Sequence, residues 1–233
     1  MGEPSSVHPH CLNPGPLVKG YLSSGLFGFS AACKLNAVGT SFDIARAALL
    51  AMDCQTGIVS IYAKPEAEFL ERASRVLGAA RMAGMPVIHV QVGFRAGLPE
   101  VSSRNKLFAA IKSSPQHQKL FEGAAGAIHP ALAPEASDIV ITKHRVSAFS
   151  GTDLEMLLRA KEIETVVLFG IATSGVVLST LLDASDADYK LVVISDCCAD
   201  LDAELHAALV KRLFPHRAEV VTAAEFLEAL QLA

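Results

Sequence analysis

The chain has 233 residues, 51% of them hydrophobic and 19% charged, with a formal net charge of -4. That length suffices to bury one sizeable core, so a single globular domain is expected. The acidic balance supplies no basic field to attract nucleic acid or an anionic membrane surface, and small-molecule chemistry gains weight.

No apolar run in the body of the chain approaches the ~20 residues that span a bilayer, and a soluble protein is expected. Five cysteines (Cys11, Cys33, Cys54, Cys197 and Cys198) are odd in number and follow no metal spacing. A reducing, cytoplasmic setting fits them best.

Residues 1–44 read as an irregular N-terminal arm, rich in Gly, Pro and Ser, and residues 45–233 as the folded domain. The arm's Ser-rich, acid-poor character has a faint flavour of a transit peptide. Lys19 and Lys34 are its only Lys or Arg residues, however, so an arm without a targeting role is preferred.

From residue 47 onward, apolar runs of strand length alternate with amphipathic stretches of helical period. Strands are predicted at Ala47–Asp53, Pro86–Val92, Asp138–Lys143, Thr165–Gly170, Leu191–Asp196 and Ala218–Thr222. Runs such as VVLFG and LVVIS suit strands covered on both faces. The fold class is therefore α/β: a three-layer sandwich around a six-stranded, mostly parallel sheet. Helices are predicted at Pro65–Ala83, Thr152–Lys161, Ser174–Ala187, Ala203–Phe214 and Ala223–Leu230, with Pro215 closing the fourth. The long connection from Gly93 to Ala136 reads as an active-site cover with short helices or as an insertion.

Ligands of open parallel sheets bind beyond the carboxyl ends of the strands, and three such ends carry chemistry here. The first ends in Asp53 of LLAMDCQTG. The third ends in Lys143 of IVITKHRVSAFSGT, a cation able to hold Asp53 ionised. Read alone, each could equally be a structural strand-end charge. The fourth runs into GIATSGVVLST, small residues opening a helix whose backbone N–H groups make an anion or oxyanion site.

Together MDCQ, TKHRVSAFSGTDL and FGIATSGVVLSTLLDASDADY resemble the isochorismatase-like, or cysteine-hydrolase, superfamily over roughly residues 45 to 230. In its cysteine-dependent members the resemblance implies that Asp53 takes a thiol proton and Lys143 stabilises the thiolate. A cysteine opening the helix after the fourth strand attacks a carbonyl, and the turn of Ile171, Ala172, Thr173 and Gly175 supplies oxyanion donors. The resemblance also implies a non-proline cis peptide between Ile171 and Ala172. Val176 stands in the nucleophile's position, so the thiol route is vacated. A second branch, the isochorismatases proper, also dispenses with the cysteine; there the aspartate acts as acid on a vinyl ether and water attacks. Glycine tends to stand there where this chain has Val176, which would narrow the pocket.

Substitutes for the missing thiol fit poorly. Cys54 reads as a buried apolar residue, Cys197 and Cys198 end the fifth strand in a DCCAD turn, and Ser174 fits a helix N-cap better than a nucleophile. Gln55, Arg145, Phe149 and Ser174 are candidates for pocket lining. The P-loop pattern fails at Val176 and Val177, and no dinucleotide fingerprint follows the first strand, so no cofactor is expected. His89, His117, His129, His144 and His206 look dispersed, and no metal is expected. The resulting expectation is a small-molecule hydrolase with Asp53 and Lys143 as its catalytic residues, acting on a C–N amide or a vinyl ether. Two alternatives stand: an inactive homologue that binds a small acid or serves as an oligomeric partner, and an amidase with a non-standard nucleophile. Family membership also implies a homo-oligomer, a dimer or tetramer.

Overall fold

The computed structural model describes residues 43–231. The expected arm therefore lies outside the described residues except for Asp43 and Ile44. Asp43 caps a short 3-10 turn, Ile44–Arg46, by accepting from the N–H of Ala45.

Six strands form one sheet: β1 (Ala47–Met52), β2 (Val87–Val92), β3 (Ile139–Lys143), β4 (Thr165–Ile171), β5 (Lys190–Ala199) and β6 (Glu219–Val221). Their order is β3-β2-β1-β4-β5-β6 and every neighbouring pair is parallel. The order runs one way from β1 to β3 and resumes on the other side at β4. Right-handed crossovers then carry the connecting helices to opposite faces. The point of reversal lies between β1 and β4, and the carboxyl ends of the strands at such a point are where open parallel sheets bind ligands.

Burial follows position in the sheet. All residues of β1 and β4, the two central strands, are buried, as continuous apolar runs require. The edge strand β3 departs from that expectation: Val140 and Thr142 are exposed while Ile141 and Lys143 are buried. Only one of its faces is covered, and the side-chain period of two separates them.

The helices are α1 (Thr56–Tyr62), α2 (Glu66–Met82), α3 (Lys106–Lys112), α4 (Pro115–Lys119), α5 (Gly123–Gly126), α6 (Leu154–Ala160), α7 (Leu178–Asp186), α8 (Ala203–Ala208) and α9 (Ala223–Gln231). None among the described residues is long and apolar enough to cross a membrane. The helix α1 was not foreseen, because TGIVSIY is rich in β-branched residues that favour strands. The segment 93–136 carries short helices, as one of its two readings required. The expected helix 203–214 breaks into α8, a π turn at Leu209–Leu213 and a 3-10 turn at Phe214–His216. Pro215 sits inside that last turn rather than beyond it.

The fifth strand is also longer than expected. The DCCAD segment does not turn: Cys197 and Cys198 lie within β5, and Gly170 pairs with Cys198. The pairing slips between Leu168 and Gly170 on one side and Val193 and Cys198 on the other, a bulge that reroutes the carboxyl end of β5 beside β4.

Gly170 marks the closest approach of β4 to β1. Its φ is +152°, and an added Cβ would lie 2.2 Å from the carbonyl oxygen of Met52. At Gly175 an added Cβ would meet only the Ala172 methyl, at 3.7 Å. Gly170→Ala is therefore expected to lower the unfolding free energy by about 3 kcal/mol in urea titration, and Gly175→Ala by less than about 1 kcal/mol. Equal stabilities for the two variants would contradict this packing.

Candidate active site

Asp53 follows the last residue of β1 and leaves the strand with φ +54°, in the left-handed region that Asp tolerates better than most residues. Its N–H still donates to the carbonyl of Val90, so the chain turns while anchored to the end of β2. Lys143 ends β3, two strands away, and reaches across the end of β2. Its Nζ donates to Asp53 Oδ2 at 2.8 Å and to the carbonyl of Arg145 at 3.0 Å. Lys143 is 2% exposed and Asp53 6%.

Burial of this depth disfavours a lone charge, and the Lys143 ammonium opposes that effect. Desolvation is the larger influence, so the Asp53 carboxyl is held above the ordinary carboxylate range despite its partner. Its second oxygen, Oδ1, is buried with no hydrogen-bond partner among the described residues.

The turn after β4 completes the group. The Ile171–Ala172 peptide is cis, in agreement with the expectation drawn from the resemblance. A π turn, Thr173–Val177, leads into α7, and Val176 is buried in it. Ser174 does not act as the N-cap. Its own N–H donates to Asp200 Oδ2 at 2.7 Å, so a carboxylate arriving from beyond β5 caps this helix.

The expected lining residues divide. Gln55 is wholly buried and fully engaged: Nε2 donates to the carbonyls of Val92 and Gly126, and Oε1 accepts from the N–H of Val92. It clamps the end of β2 to the 93–136 segment rather than facing a ligand. The Arg145 guanidinium donates to the carbonyls of His144 and Glu100 and lies over the Phe108 ring. It serves the same segment. Phe149 packs against the ring of Tyr189, which precedes β5 at the amino end of the sheet, away from Asp53. A cavity of about 450 Å³ within the segment is lined by Phe94, Leu98, Lys112 and Phe121 among others, and touches none of Asp53, Lys143 or Val176.

Three cysteines are described, and all are buried and free. Burial pushes the Cys54 and Cys197 thiols far up and Cys198 to about 12, so none is a ready thiolate. Cys54 reads as the sequence suggested, with Sγ directed at the carbonyl of Met52. Cys11 and Cys33 lie outside the described residues.

Two polar groups nearby carry no role in the sequence reading: Asp200, which it does not name, caps the π turn, and His206, in α8, one of the histidines that look dispersed, shares a hydrogen bond of 2.8 Å between Nδ1 and Thr173 Oγ1. The other described histidines include His89 on Asp138 and His144 on the carbonyl of Gly93.

The isochorismatase domain profile matches residues 47–225. The chain belongs to the isochorismatase family. The isochorismatase-family protein YecD of Escherichia coli O157:H7 is 34% identical over 186 residues, covering 78% of this chain and 95% of YecD. Maleamate amidohydrolase of Pseudomonas putida is 28% identical over 189 residues, covering 79% of this chain and 86% of that enzyme. A solved isochorismatase-family structure from Burkholderia thailandensis superposes with a TM-score of 0.69 at 31% identity, covering 80% of this chain and 96% of that one. The six-stranded parallel sheet matches this fold.

Removing the Gln55 side chain would leave the buried N–H of Val92 without its acceptor and two carbonyls without a donor. Gln55→Ala is expected to cost about 2–3 kcal/mol of stability in chemical denaturation. Amide exchange should also accelerate at residues 126–129, which pair with 54–56. Unchanged exchange there would show that Gln55 is not the clamp.

Proposed function

We propose that this isochorismatase-family protein hydrolyses a C–N amide bond of a small acid, with Asp53 as general base and acid and water as nucleophile. The observation that carries the reading is the buried, unpartnered Oδ1 of Asp53 beside an Oδ2 fixed by Lys143. An orphaned acceptor at that depth is costly unless a water or substrate proton meets it. The relation to maleamate amidohydrolase favours an amide of a small acid over the vinyl ether of isochorismatases proper.

The steps follow from the groups present. Ionised Asp53 takes a proton from a water molecule through Oδ1, and the water oxygen bonds to the substrate carbonyl carbon. The carbonyl electron pair moves onto oxygen, where backbone N–H groups at the start of the turn, before those of Ser174 and Gly175 that are already bonded, stabilise it. When the pair returns, the C–N bond breaks, and the Asp53 carboxyl gives its proton to the departing nitrogen. A carboxyl held above its ordinary range performs both halves better than a fully acidic one, because its affinity for protons lies nearer neutrality. Lys143 keeps the ionised form accessible and orients it. Val176 offers no nucleophile, and the described thiols are buried and protonated.

Ammonia release from a panel of small carboxamide acids tests the reading. Asp53→Asn should reduce turnover by at least about 100-fold, whereas iodoacetamide should leave it unchanged. Activity surviving in Asp53→Asn, or lost on alkylation, would overturn the mechanism. Binding without turnover across carboxamide and vinyl-ether panels would instead favour a retired enzyme.

Lys143→Met removes the charge that lowers the Asp53 pKa. The base must be ionised to act, so the acidic limb of kcat/KM should move to higher pH in this variant. An acidic limb that stays in place would separate Lys143 from the titration.

A further inference from the structure

The turn that carries the oxyanion donors is tied, just past its cis peptide, to a segment no part of the mechanism has used. Thr173 is fully buried and its hydroxyl lies 2.8 Å from Nδ1 of His206. The next residue, Ser174, donates its N–H to Asp200 Oδ2 at 2.7 Å. Both partners come from beyond β5: Asp200 follows its last residue and His206 lies in α8. Asp200 also accepts from the N–H of Asp202, whose own side chain caps α8. Two consecutive turn residues are thus gripped by one segment.

A buried hydroxyl has a proton to place. Nδ1 of His206 is the acceptor in reach of Thr173 among the described residues, and it can accept only while the imidazole is neutral. Burial lowers the His206 pKa, against the opposing charge of Asp200, and keeps the ring neutral near pH 7.

We propose that His206, together with Asp200, is a positioning residue for the catalytic turn: by accepting the buried Thr173 hydroxyl proton it fixes the 171–176 backbone in the arrangement that receives the substrate oxyanion. This inference rests on the amidohydrolase reading for its kinetic consequence, but the hydrogen bond itself is observable without any substrate. His206 does not touch the reacting atoms in this account and exchanges no proton with substrate. Its protonation would turn Nδ1 into a donor and strand the Thr173 proton, so turn geometry and imidazole charge are linked.

The test uses the full chain and two readouts. In long-range 1H–15N spectra His206 should be the Nε2–H tautomer, with Nδ1 as acceptor. Thr173→Val should raise its titration midpoint, because the bond that favours the neutral ring is gone, and Thr173→Ser should restore it. In ammonia release, Thr173→Val should lower kcat by about tenfold to a hundredfold with little change in KM, the mark of lost transition-state positioning. His206→Asn places an acceptor close to the Nδ1 position and should retain more activity than His206→Leu. An Nδ1–H tautomer, a titration unmoved in Thr173→Val, or equal activity of the two His206 variants would overturn the proposal. If the unaltered protein hydrolyses no carboxamide, the proposed function fails, and the spectra alone decide whether Thr173 and His206 are coupled.

Discussion

The structure around the site depends on one buried ion pair. Asp53 and Lys143 come from strands that are not neighbours in the sheet, and their contact of 2.8 Å crosses the end of β2. Two charges taken that far from water are tolerated only with good mutual geometry and further hydrogen bonds. Lys143 has such a second bond, to the carbonyl of Arg145, whereas Asp53 leaves Oδ1 open. The pair is thus incompletely satisfied on one side, the side of the carboxyl group. Reading it as functional explains an asymmetry that a purely structural pair would not need.

The rest of the fold serves to hold that asymmetry in place. The reversal of strand order between β1 and β4 sets Asp53 beside the turn at Ile171 and Ala172. Gly170 lets the two strands meet at Met52 with no side chain between them. Gln55, two residues past Asp53, locks the end of β2 and the 93–136 segment to the same corner through its amide. Each of these contacts removes water or fixes backbone around a carboxyl whose proton affinity is set by its dryness.

Much of this was legible in the chain. Near-continuous apolar runs gave all six strands to within a few residues, apart from the carboxyl end of β5. Strand ends are where a parallel sheet exposes chemistry, so Asp53, Lys143 and the GIATSG turn stood out. What escaped were partnerships decided by tertiary contact. Ser174 had the local look of an N-cap, but a carboxylate 26 residues away took the position. The polar segment DCCAD looked like a turn until pairing with Gly170 and Ile171 drew it into β5. Gln55 looked like a ligand-facing amide because its acceptors, the carbonyls of Val92 and Gly126, carry no mark in sequence. Phe149 is a lining candidate only because it trails Lys143 in the chain, and the ring of Tyr189 draws it to the other end of the sheet.

The central claim is that burial, rather than the lysine, governs the proton affinity of Asp53. Its side-chain carboxyl carbon can be followed by 13C NMR through the acidic and neutral pH range in the unaltered protein. The account predicts a midpoint clearly above the ordinary value of 3.8. A midpoint at or below that value would mean that Lys143 dominates, leaving a carboxylate too weakly basic for the role assigned to it, and would contradict the account.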